Sequence, residues 1–187
     1  MNSVELRLPA WLILGACLLL AACASPSTVV THVWSDRDRA PITMGKTLVL
    51  AIPFNPASEA GVRAENAWVL QLRRLGMDAQ AWSQLMPGAP VPEKRAVAAL
   101  VRAQGFDTVL VARVVELKKV ERDTPASQVA VVETKLYDGR NEQLLWFAQS
   151  NTYLISHTGE EIRYPRESVI REYVEVVSSE MSGSGIL

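Results

Sequence analysis

Thr47-Leu48-Val49-Leu50-Ala51-Ile52 holds no charged side chain and runs into Pro53 and Pro56. A strand with one wet face alternates apolar and polar residues; continuous apolarity is what a strand buried on both faces requires. Such a strand lies inside a sheet with helices over it, and the sequence that follows agrees. After the turn Asn55-Pro56-Ala57-Ser58, Ala60, Ala64, Ala67, Trp68, Leu72 and Leu75 recur at three- and four-residue steps. They predict a helix over 59–75, with Gly76 as its C′ stop. Residues 77–82 read as a second, shorter strand. Pro87, Pro90 and Pro92 mark a loop, and Pro92 suits the first turn of a helix that carries Val97, Leu100 and Val101 inward before Gly105 ends it. Phe106-Asp107-Thr108-Val109-Leu110-Val111-Ala112-Arg113-Val114-Val115 is the third strand.

Beyond it, residues 116–125 read as a charged loop, then 128–137 and 143–155 as two long strands. Asp138-Gly139-Arg140-Asn141 joins them, and Asp-Gly at such a junction signals a hairpin. Pro165 opens a last helix with Val169, Ile170, Tyr173, Val174 and Val177 on one stripe, and Gly183-Ser184-Gly185 frees the end. The order is β-α-β-α-β-β-β-α. Right-handed crossovers keep the early strands parallel and place the first two helices on the sheet. The expected fold is therefore α/β with an α+β tendency: a single mixed sheet of about five strands over residues 46–182, with 183–187 flexible.

Working back toward the amino terminus, residues 23–45 read as a tether, in which Thr28-Val29-Val30-Thr31-His32-Val33-Trp34 has the composition of a short edge strand. Fully flexible, a 20-residue tether would reach on the order of 25 Å. Ahead of it, the apolar run 8–24 is 17 residues long, short for a spanning helix, which needs roughly 20. Small residues follow it, and no charged stop-transfer flank does; a secretory signal over 1–22 fits better than a retained helix. Leu20-Ala21-Ala22-Cys23 resembles a bacterial lipobox. That resemblance implies cleavage between Ala22 and Cys23, a diacylglyceryl thioether on Cys23 and an acyl chain on its new amine. Two or more chains anchor stably where one does not. Ala24, in place of an aspartate, favours the periplasmic face of the outer membrane over inner-membrane retention.

The chain has two cysteines, Cys17 within the signal and Cys23 at the lipid site. The processed protein is thus expected to have no thiol for a disulfide, a metal or catalysis. A net charge of −1, with no basic block, gives no nucleic-acid footprint. His32 and His157 are far apart in sequence and form no His-x-x-x-His pair. Ser178-Ser179 has no base nearby, no Gly-x-Ser-x-Gly elbow occurs, and Gly61 and Gly76 are isolated from any phosphate-loop pattern. In the Asp36-x-Asp38 turn Arg37 and Arg39 alternate with the acids; Glu116, Glu121 and Asp123 lie among Lys118, Lys119 and Arg122; Glu160-Glu161 follow a turn. Solvated surface is the expectation for all of these. No catalytic residue, metal site or cofactor is expected, apart from the covalent lipid on Cys23.

The hairpin offers two further leads. A membrane-spanning strand needs about 9–11 residues with one apolar face. Ala130, Val132, Thr134 and Leu136 make such a face, but Gln149-Ser150-Asn151-Thr152 interrupts the partner strand, so a soluble sheet is expected. Tyr137, Trp146 and Phe147 flank the turn; an outward Trp146 or Phe147 would be a protein-contact anchor, and Trp68 and Trp82 read as core. Leu-Val-Leu-Ala-Ile, Gly-Phe-Asp-Thr-Val-Leu-Val-Ala-Arg and Lys-Leu-Tyr-Asp-Gly…Leu-Leu-Trp resemble an uncharacterised family of small Gram-negative lipoproteins. The plan is also similar to the TolB amino-terminal and curli-secretion-lipoprotein α/β domains. What this implies is a fold and a compartment: a membrane-anchored, non-enzymatic accessory or adaptor that contacts an envelope protein. The alternatives are a self-assembling ring or pore subunit, and a small-ligand carrier.

Overall fold

The computed structural model describes residues 27–36, 45–120, 127–155 and 165–186. Among them, one mixed sheet is built from β1 (Thr28–Ser35), β2 (Lys46–Ile52), β3 (Asp78–Ala81), β4 (Thr108–Val120), β5 (Ser127–Asp138) and β6 (Leu144–Ile155). Their spatial order is β1-β6-β5-β4-β2-β3. Four helices accompany it: α1 (Ala60–Arg74), α2 (Trp82–Leu85), α3 (Lys94–Gln104) and α4 (Glu167–Gly183).

The apolar run that opens the fold is β2, and it lies between two parallel neighbours: Leu48 pairs with Gln80 of β3 and with Val109 of β4. Its side chains leave on both faces. Val49 enters a core with Trp68, Val69 and Leu72 from α1 and Tyr173, Val174, Val177 and Met181 from α4. Leu48 and Leu50 enter a second, smaller cluster with Trp82, Val101, Phe106 and Val109. Burial on both sides is the reason the run carries no polar alternation. Where β2 meets β4, Thr47 and Thr108 join their buried hydroxyls at 2.7 Å.

The sheet has six strands, one more than expected. The sixth is β1, which pairs antiparallel with β6 from Thr28↔Thr152 to Ser35↔Trp146. It buries Thr28 and packs Val30 and Val33 against the main core. Its membership leaves only three residues between Cys23 and Ser27, where a 20-residue tether was expected. Three smaller differences share a cause in packing. The second strand stops at Ala81, because Trp82 turns into α2 to reach the smaller cluster. Residues 116–120, expected in a loop, extend β4, held by pairing with 127–131. Leu75, expected on the buried stripe, is exposed one residue past the end of α1.

The β5–β6 turn forms where Asp-Gly predicts it, although for another reason. Glu142, at φ 60°, takes the left-handed position. Gly139 instead brings the turn against the start of β4: its N–H donates to the Asp107 carbonyl at 2.7 Å, and a Cβ there would collide with the Phe106 carbonyl oxygen.

Candidate functional site

The carboxyl ends of β2, β4 and β6, the amino ends of β1 and β5, and the amino ends of α1 and α4 all meet at one end of the sheet. Between them is a cavity of about 530 Å³. It is hollow because of residue size. The sheet contributes Ala51, Ala112 and Ala130, and α1 contributes Ala60, Gly61 and Ala64. Further along the same face stand Leu72, Trp68, Leu136 and Met181. Gly61 is required by the approach of α1 to β2, since a Cβ there would lie 2.8 Å from the Ala51 carbonyl oxygen. Among the described residues no charged side chain lines the cavity.

Its polar wall groups are engaged. The Tyr173 and Thr134 hydroxyls bond at 2.6 Å, and the Thr152 and Thr28 hydroxyls at 3.1 Å. At the rim Asn55 Oδ1 accepts from the Ala57 N–H, and Ser58 Oγ from the Ala60 N–H. Burial pushes the Tyr173 phenol up to about 12, with the Thr134 bond opposing the shift. Beside Tyr173 on α4, the Glu172 carboxylate accepts from the Ser27 N–H at 2.5 Å and the Ser27 hydroxyl at 2.6 Å. The start of the described chain is therefore pinned at the cavity's edge.

Tyr137, Trp146 and Phe147 do not form one surface. Trp146 is fully buried and unavailable to a partner, with its indole N–H donating to Ser184 Oγ at 3.2 Å. The β5–β6 register pairs Leu136 with Trp146 and Tyr137 with Leu144, so Leu145 is an extra residue. This bulge lets both Leu145 and Trp146 enter the core. Tyr137 packs against the smaller cluster. Phe147 faces away from the main core, half-exposed, with the His32 ring 5.8 Å and the Lys135 ammonium 5.6 Å from its ring centre. Its β1 partner is Trp34, 44% exposed. Trp34 and His32 lie in the stretch expected as tether, and nothing local marks them for this surface; only the pairing of β1 with β6 brings them beside Phe147.

Other polar residues are structural. Glu65, buried within α1, accepts the Ala51 N–H at 3.1 Å and the Ser83 N–H at 2.9 Å, clamping α1 to β2 and to α2. Lys94 and Glu142 form an exposed ion pair at 2.8 Å that raises the lysine pKa and lowers that of the carboxyl, tying α3 to the hairpin turn. Among the described residues no three histidine, cysteine, aspartate or glutamate side chains group as metal ligands. Ala22, Cys23, Asp38, Glu121, Asp123, His157, Glu160 and Glu161 lie outside the described residues.

No family model matches the chain, and no curated protein does. Solved structures do. The PelC dodecamer from Paraburkholderia phytofirmans is 20% identical, with 81% of this chain and 95% of that one covered at a TM-score of 0.54. Lipoprotein GNA1162 from Neisseria meningitidis is 14% identical, with 74% and 98% covered at a TM-score of 0.50. At these identities the likeness is one of fold: the chain has a fold shared with a small bacterial lipoprotein. No helix among the described residues is long and apolar enough to cross a membrane.

Proposed function

We propose that this chain is a lipid-anchored envelope protein, acylated on Cys23 and held at the periplasmic face of the outer membrane, that works without catalysis as an adaptor for another envelope protein. The observation that carries the reading is the β1–β6 margin. β1 ends the sheet order, so no described strand pairs with its outer edge. It carries no lysine or proline to blunt that edge, the usual protection against strand addition. Exposed Val29, His32 and Trp34 and half-exposed Phe147 lie on one side of it. An extended partner segment can add to the backbone edge while its side chains meet the aromatics. With Cys23 acylated, the short link to β1 would keep the start of this margin close to the membrane.

The test is a photo-reactive residue at Trp34 in the full-length protein in cells, with Leu70 on the exposed side of α1 as control. One heterologous partner captured at position 34 and not at 70 supports the adaptor. Capture at neither position removes it. The likeness to a protein crystallised as a dodecamer favours a second reading, a ring subunit, which would give only self-products from position 34.

A further inference from the structure

The cavity at the strand ends has no part in the contact margin, and its chemistry is specific. Its wall is mostly apolar and, among the described residues, carries no charged side chain, and the Thr152 and Tyr173 hydroxyls are already bonded to other hydroxyls. No charged side chain among the described residues is there to fix a polar ligand. At about 530 Å³ it lies in the small-ligand range, roughly 300–1,000 Å³. Thr28 is hydroxyl-bonded to Thr152 of the wall, and Ser27 is held by Glu172, next to Tyr173 of the wall. Cys23 precedes Ser27 by four residues, which span at most roughly 14 Å even fully extended.

We propose that the cavity takes one acyl chain of the protein's own lipid anchor on Cys23. This rests on the anchor reading above. With one chain folded back into the sheet's end, the remaining chains still satisfy the two-chain requirement for stable insertion. The docked chain holds the carboxyl ends of β2 and β4 toward the bilayer and fixes the orientation of the contact margin.

The experiment feeds cells a palmitate analogue with a chain diazirine, irradiates them, and digests the purified full-length protein for mass spectrometry. Cross-links from the Cys23 peptide to residues 60–64 of α1 or 169–173 of α4 are the expected result. Ala64→Phe, which fills the cavity, should reduce them severalfold with Cys23 still acylated; Ala64→Leu gives a milder graded loss if the larger variant folds poorly. Acylated Cys23 without cavity cross-links overturns the inference and leaves the anchor standing. Unmodified Cys23 overturns both. Cavity cross-links to untethered lipid that persist in Cys23→Ser overturn the self-docking and assign the cavity to bilayer lipid.

Discussion

The β2–β4 seam and the β1–β6 margin belong to one sheet and are put to opposite uses. At the seam both faces are covered, by α1 and α4 on one side and by α2 and α3 on the other, and its polar groups serve the fold: Thr47 bonds Thr108, and Glu65 caps two backbone N–H groups. At the margin the main core takes Val30, Val33 and Trp146 from one face, while the other leaves His32 and Trp34 in solvent. Side chains become available for contact where the second layer of helices stops. The seam should therefore set stability and the margin should set binding.

The sharpest way to break that division is Trp68→Ala, which empties a fully buried site over the seam and should cost about 3–5 kcal/mol in denaturant unfolding. A loss below 1 kcal/mol would show that the seam is not the stabilising half. Next comes Glu65→Gln. Its two partners are both donors, and an amide presents one acceptor oxygen where the carboxylate presents two, so a loss of about 2–3 kcal/mol is expected; an unchanged unfolding midpoint would contradict the clamp.

Tyr173, under the seam-side helices, gives a pH signature. Its phenol titrates near 10 when unfolded and is raised to about 12 in the fold. The folded state thus holds its proton longer, and stability is full below pH 10 and falls as pH rises toward 12, by about 1–3 kcal/mol. Tyr173→Phe should flatten that alkaline limb relative to the parent. The smallest stability effect is expected at the margin. Phe147→Ala should cost less than about 1 kcal/mol, because a half-exposed ring has little burial to lose, yet it should reduce partner capture at Trp34. Equal losses of stability and capture would merge the two regions into one.

Much of the seam was legible in the sequence. An unbroken apolar run admits few placements other than a doubly buried strand, the helical stripes of α1 and α4 repeat at the helical period, and Gly76 and Gly105, at φ 86° and 66°, end their helices as written. The margin was not legible. Leu144 to Ala148 is apolar throughout, so no alternation tells which of Trp146 and Phe147 points inward, and a one-residue bulge reverses the answer. Nor does Thr28 to Ser35 declare a partner.

The sequence by itself determined the longer helices, most of the strands, the hairpin position and the Cys23 motif, because helix period, chain breakers and turn residues act over a few neighbours. Tertiary structure decided the sixth strand, the burial of Trp146, the gathering of His32, Trp34 and Phe147, and the alanine-lined cavity. The sixth strand and the gathered aromatics depend on pairing between residues more than a hundred positions apart, as in Thr28 with Thr152; the cavity depends on strands and helices brought together from distant stretches, and the burial of Trp146 on a bulge whose direction only the packing of the core selects.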